Sequence, residues 1–197
     1  MKVIVVGATG TIGSAIVRNL SGPHEVISVS QHQSEIKVDI SDIESIKRMF
    51  TRIGKFDALI SAAGPARFGA LQVLQDEDFD FSLRNKLMGQ VNLVRYGLDS
   101  MNDKGSFTLT SGVLGRSPVP GTPALSLVNG GLESFVRAAA LDLPRGIRIN
   151  IVSPGWISET LQQMGKDPAT GTPADTVAQD YLCCLEGNMN GTTVIPA

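Results

Sequence analysis

The chain has 197 residues and a net charge of −2, with 42% hydrophobic and 18% charged side chains. That composition suits one globular domain with a substantial core, and the near-neutral balance argues against a nucleic-acid or anionic-membrane surface. No apolar run approaches the roughly 20 residues of a membrane helix and no leader pattern precedes the first strand, so a cytoplasmic, membrane-free protein is expected.

The first thirteen residues set the frame. The β-branched run Val3 to Val6 breaks at Gly7, and Gly10 and Gly13 follow at intervals of three before the helical apolar pattern of Ile12, Ala15, Ile16 and Leu20. Strand, glycine turn and helix in this order form a cradle for phosphate, since glycine permits close backbone approach and a helix N-terminus presents free N–H groups. The spacing is a variant of the usual dinucleotide turn, and a turn that only packs helix on strand has the same look. A Walker loop is not expected, because no Gly-Lys-Ser/Thr follows.

Gly22-Pro23 ends this helix and leaves His24 as a solvated turn residue. Glu25 to Ser30 reads as the second strand and Ile36 to Val38 as the third. Ser41 and Glu44 fit a capping box for a helix whose buried stripe is Ile43, Ile46, Phe50 and Ile53, closed by Gly54. Asp57 to Ile60 is a fourth strand, and a long helix starts near Asp76 with Leu83, Leu87, Val91, Val94 and Leu98 on one face. After a turn at Asp103-Lys104-Gly105, Ser106 to Thr110 is the fifth strand, Ser111 to Pro123 a loop, and Leu132 to Ala140 part of a helix. Ile147 to Val152 is the sixth strand, Trp156 to Gly171 an irregular lid, Thr172-Pro173 a helix start, and Thr192 to Ile195 a last short strand. The adjacent Cys183 and Cys184 are read as core-filling thiols rather than a disulfide or a metal pair.

Strands alternating with helices predict an α/β fold: one Rossmann-like, doubly wound parallel sheet of about seven strands with helices on both faces, filling residues 1–197 as a single domain. Ligands then bind beyond the carboxyl ends of the strands, where small and polar residues gather.

These motifs in this order resemble the short-chain dehydrogenase/reductase family over nearly the whole chain. Asp39-Ile40 resembles the pair that touches adenine in that family, Ser61-Ala62-Ala63-Gly64 the stretch after the fourth strand, and Asn85-Lys86-Leu87-Met88-Gly89 the segment carrying the active-site Asn. Ser153-Pro154-Gly155 resembles the segment beside the nicotinamide. The resemblance implies a nicotinamide dinucleotide held by Gly7, Thr9, Gly10, Thr11, Ile12 and Gly13, by Ser30, Gln31, His32, Asp39 and Ile40, and by Ala62, Ala63, Gly64, Pro154 and Gly155. Ser30, Gln31 and His32 offer no carboxylate against a 2′-phosphate, so NADP is favoured over NAD.

The departures lie at the chemistry. The family's Tyr-x-x-x-Lys signature is replaced by Leu125 and Asn129, and neither Tyr96 nor Tyr181 can be slid into place. A positioned acid or base contributes about 10²–10⁴-fold in rate, so ordinary carbonyl reduction loses its proton donor. The candidate catalytic set is therefore Ser111, Asn85 and Asn129, ordering a water as proton source, with Gly112 as the other claimant to the family's Ser position. Arg67, Arg116 and Arg145 read as surface charges, Arg116 being the best placed of them for a substrate, and Trp156 reads as packing under the lid. Three functions follow: an NAD(P)-dependent oxidoreductase on a small carbonyl or alcohol, a catalytically silent NAD(P)-binding sensor, or non-redox chemistry in the same cleft. By analogy with the family, the chain is expected to pair as a homodimer or homotetramer through the helices near Asp76–Ser100 and Leu125–Leu141. No metal site is expected.

Overall fold

The structure, a computed structural model, describes residues 1–196. Strand β1 (Lys2–Val6) lies in the interior of a seven-stranded sheet. Beside it run β2 (Glu25–Ser30) and β3 (Ile36–Lys37). On the other side come β4 (Phe56–Ser61), β5 (Met101–Thr110), β6 (Arg148–Val152) and β7 (Thr193–Val194). The order is β3-β2-β1-β4-β5-β6-β7, and neighbouring strands pair parallel throughout.

Because side chains alternate along a strand, β1 sends Ile4 and Val6 into one core and Val3 and Val5 into the other. The first core packs α2 (Ile43–Ile53), α4 (Gly89–Gly97) and α5 (Pro123–Asp142) on the sheet through Ile46, Phe50, Val94, Leu132 and Val136. The second packs α1 (Thr11–Leu20) and α7 (Ala174–Glu186) through Ile16, Leu20, Val177 and Tyr181. The doubly wound topology expected from the sequence is the one observed.

Local details differ from expectation. The N-cap of α2 is Asp42, whose carboxylate accepts from the Glu44 N–H, while Ser41 turns back to Asp39. Ile43 is consequently exposed and Met49 takes its place in the stripe. The long helix is broken into α3 (Asp76–Ser82), a π-helical segment Leu83–Met88, and α4. Strand β5 starts at Met101, before the expected turn, and accommodates Lys104 at φ 61°. The lid contains a short helix, α6 (Ser158–Gln163), and a 3₁₀ turn at Pro168–Thr170. Helix α7 takes Pro173 rather than Thr172 as N-cap, and the Glu159 carboxylate accepts from the Ala174 N–H.

His24 is not solvated: its side chain is largely buried, neither ring nitrogen has a hydrogen bond, and Glu186 lies 3.8 Å away. Only Cys184 fills the core; Cys183 is exposed. No helix of the described residues is long and apolar enough to cross a membrane.

Candidate active site

The glycine turn closes tightly for a physical reason. A Cβ on Gly13 would stand 2.0 Å from the Gly7 carbonyl oxygen, and one on Gly7 (φ 84°) would stand 2.6 Å from the Ala62 carbonyl oxygen. These two glycines therefore allow β1, β4 and α1 to converge. Gly10 is different: its added Cβ would meet only the Gly7 oxygen, at 3.4 Å, so its face is open. Gly10 is the N-cap of α1, no side chain caps the helix, and no acidic residue stands in its first turn. Free N–H donors at the positive end of the dipole, with backbone open above them, fit a pyrophosphate.

Three recesses run along the carboxyl ends of the strands. The main cleft, about 690 Å³, is lined by Thr11, Ile12, Ala62, Ala63 and Gly64, and by Ser111, Asn129, Pro154 and Gly155 from the expected set. An adjoining recess is bounded by Gly7, Ser30, Gln31, Asp39, Ile40 and Asn85. A third groove is bordered by Thr9, Gly10 and Thr11. Gly13 lies buried beneath the turn, and His32 is exposed and borders none of the three.

The Asp39 carboxylate is held by the Ser41 N–H and hydroxyl, at 2.9 and 2.7 Å, and the Ser30 hydroxyl accepts from the Gln33 and Ser34 N–H groups. Ser30 thus shapes the loop after β2, and Gln31 reaches solvent. Arg84 lies next to Gln31 and Asp39 in a further hollow and has no ion pair among the described residues.

Of the three candidate catalytic residues, the structure brings Ser111 and Asn129 together and sets Asn85 apart. The Asn85 amide donates to the Phe81 carbonyl at 2.9 Å and borders the adjoining recess. Ser111 is buried, and its hydroxyl donates to the Glu133 carboxylate at 3.0 Å. Asn129 packs against Gly112 and Gly115, where Cβ atoms would meet its Nδ2 at 3.1 Å and its Cβ at 2.9 Å. Its buried Oδ1 has no hydrogen-bond partner.

Several residues at the site were not singled out by sequence. Glu133, one helical turn beyond Asn129 on α5, accepts from Ser111, from Ser153 at 2.9 Å and from Arg116 at 2.9 Å. Arg116 is therefore a partner of Glu133, not a substrate clamp. On the α1/α7 face of the sheet, the Tyr181 hydroxyl meets the Thr110 hydroxyl at 2.7 Å, and burial pushes its pKa upward. Trp156 stands exposed on the cleft rim with the Lys166 ammonium 5.5 Å from its ring centre, rather than packed under the lid.

Lys86, named in the sequence only as part of the Asn85 motif, enters the main cleft. Burial lowers its pKa to about 8. The signal that would have found it is polar spacing: Ser82, Lys86 and Gln90 recur every four residues and are all buried. Among the described residues, no group of three His, Cys, Asp or Glu side chains is set to hold a metal ion.

The chain resembles known proteins in sequence and fold. A family profile described as enoyl-(acyl carrier protein) reductase matches residues 14–179. The crystal structure of the protein lin1944 from Listeria innocua superposes with a TM-score of 0.95 at 39% identity, over 99% of this chain and 98% of that one. A small-chain dehydrogenase solved in complex with NADPH gives a TM-score of 0.88 at 28% identity, over 99% of this chain and 95% of the other. Among curated proteins, the 3-oxoacyl-[acyl-carrier-protein] reductase FabG of Rickettsia conorii is 29% identical over 176 residues, covering 80% of this chain and 73% of that one.

Proposed function

The chain belongs to the short-chain dehydrogenase/reductase family of NAD(P)-dependent oxidoreductases, and from that premise we propose that it transfers hydride between a nicotinamide dinucleotide and a small carbonyl or alcohol. The observation that carries this reading is the uncapped, glycine-opened N-terminus of α1 leading into a cleft of about 690 Å³. The residues fit the dinucleotide along its length. The α1 turn would hold the pyrophosphate, Asp39 and Ile40 would flank the adenine, and Pro154 and Gly155 would border the nicotinamide. When bound, the nicotinamide supplies or takes the hydride.

This chain's own residues do the rest. Asn129 borders the cleft and carries a buried, unpartnered amide oxygen, which a turn of the amide would bring to a hydroxyl of the ribose or the substrate. Ser111 is fixed by Glu133, so it shapes the wall and retains its oxygen lone pairs as acceptors. NADP is the preferred form, because no carboxylate stands at Ser30, Gln31 or His32; Arg84 borders the neighbouring hollow together with Asp39, Glu77 and Asp80. A cytoplasmic setting is proposed from the two free thiols.

The second reading is a cofactor-binding sensor without turnover, favoured by Leu125 and Asn129 at the family's Tyr and Lys positions. Calorimetry with NADPH and NADH comes first. The oxidoreductase and sensor readings both expect binding, with NADPH the tighter, and only the first expects NADPH oxidation with a carbonyl compound. Failure to bind either cofactor would remove both.

A further inference from the structure

Lys86 is the one ionisable side chain among the described residues lining the main cleft. It is 9% exposed. Its ammonium has neither a hydrogen bond nor an ion pair among the described residues.

The segment around it is built. Its polar neighbours on the same stripe are already occupied. The Gln90 amide donates to the Thr110 carbonyl and accepts from the Thr110 N–H, at 2.8 and 2.9 Å. The Ser82 hydroxyl donates to the Asp78 carbonyl and accepts from the Arg67 N–H. Gly64, at φ 114°, lets the π segment close on the end of β4, because a Cβ there would stand 2.9 Å from the Lys86 Cα.

The charged groups around it are committed or turned away. From α5, which packs on the π segment, Glu133 is engaged by Arg116, Ser111 and Ser153. On its own segment, Arg84 is exposed. A buried ammonium with no partner is costly, and the cost is relieved when an oxygen gaining negative charge arrives beside it.

We propose that Lys86 Nζ is the proton donor to a carbonyl substrate in this cleft, supplying the acid–base function that Leu125 and Asn129 lack. This rests on the oxidoreductase reading above. As hydride reaches the carbonyl carbon, the C=O π pair moves onto oxygen. An N–H bond of Lys86 breaks, the new O–H bond takes that proton, and Lys86 remains as a neutral amine until water at the cleft mouth reprotonates it. In the oxidative direction the neutral amine accepts the alcohol proton. Phe68, Leu114, Leu125 and Trp156 give the cleft an apolar stretch of wall, and its other polar groups, among them Thr110, Ser111, Asn129 and Thr160, carry no charge. The substrate class is therefore an uncharged ketone or aldehyde with apolar substituents. The lowered pKa of Lys86 suits it to proton transfer near neutral pH.

The experiment compares wild type with Lys86→Met and Lys86→Arg. NADPH binding is measured by calorimetry, reduction of ethyl acetoacetate by loss of NADPH, and the Lys86 protonation state by the pH dependence of its acylation, read by mass spectrometry. All three proteins are expected to bind NADPH. Wild type reduces the ketone with kcat/KM falling as pH rises through about 8, the value at which Lys86 itself titrates in the acylation assay. Lys86→Met loses about 10²–10⁴-fold, and Lys86→Arg is no better, because a guanidinium keeps its charge and gives up no proton.

Rescue by Lys86→Arg would reduce the role to charge alone and overturn the proposal. So would an active Lys86→Met, acylation with an ordinary lysine pH dependence, or a wild type that binds NADPH and leaves the ketone untouched. Absence of NADPH binding in wild type would instead take down the cofactor reading beneath it.

Discussion

At the scale of single residues, two glycines of one turn answer differently to substitution. Gly10→Asp places an anion over the α1 N-terminus without a clash, and aspartate is itself a favourable N-cap. The expected result is an unchanged or slightly higher melting temperature together with at least a tenfold loss of NADPH affinity, read by calorimetry. Gly13→Ala drives a methyl into the Gly7 carbonyl and is expected to cost about 1–3 kcal/mol of stability. An equally stable Gly13→Ala would mean that the turn is looser than described.

Lys86 gives a further residue-scale prediction, through linkage. Its folded pKa is about 8 against an ordinary 10.5, so between those values the unfolded chain binds the extra proton and stability rises with pH. The penalty of the buried charge is present in full below pH 8. Lys86→Met removes it and is expected to be the more stable protein there, with a lead on the order of 3 kcal/mol that fades towards pH 10.5. The comparison must be a difference between the two proteins. Burial raises the pKa of Cys184 to about 12 and that of Tyr181 as well, so both groups lose stability in the opposite sense as the solution becomes alkaline. Denaturation curves at neutral and alkaline pH test this, and a lead that does not change with pH would contradict it.

Between elements, Glu133 joins what the sheet would otherwise leave loose. One carboxylate on α5 holds hydroxyls at the ends of β5 and β6 and the guanidinium of the loop between β5 and α5. Glu133→Ala strands two buried hydroxyls, while the partly exposed Arg116 can turn to water. The expected loss is about 3 kcal/mol, read as a lower denaturation midpoint, and a midpoint within error of wild type would remove the network's structural role.

This scale is also where the sequence was hardest to read. The apolar stripe from Leu83 to Leu98 announced a helix, and a helix is there. Periodicity carries no sign of a π segment, because the segment is seated by a tertiary contact, Lys86 against Gly64, which its own sequence does not encode. The polar stripe beside it, Ser82, Lys86 and Gln90, was masked by the stronger apolar one. The Ser41 box failed for a different reason: two adjacent residues could each cap α2, and Ser41 was drawn off by Asp39.

For the whole molecule, strand order and layering were legible because parallel strands buried on both faces write continuous β-branched runs, such as Val3 to Val6, between amphipathic helices. The glycine turn was legible for a related reason: glycines and short polar residues stand where strand, turn and helix converge, the place we propose for the phosphates. The acid–base group was not, since a lysine on a long helix looks like a surface charge until the fold turns it inward. The layer formed by the π segment, α4 and α5 carries Met88, Leu127 and Leu141 into solvent, the last at 87% exposure. That layer is the surface through which we propose the chain pairs. Sedimentation at micromolar concentration is expected to give a mass above the monomer, and a monomer would end the proposal.

The π segment also makes helix length a variable of the site. A π segment is an α-helix with one residue added, and each residue turns an α-helix by about 100°. Deleting Arg84 would leave Lys86 seated by Gly64 and Gln90 and swing the chain before it, taking along Ser82 and the Arg67 backbone that Ser82 holds. The stretch 65–75, which brings Pro65 and Phe68 to the cleft, would move while the lysine stayed. The shape of the entrance and the position of the amine can thus be inherited separately, one through insertions and deletions and the other through substitutions.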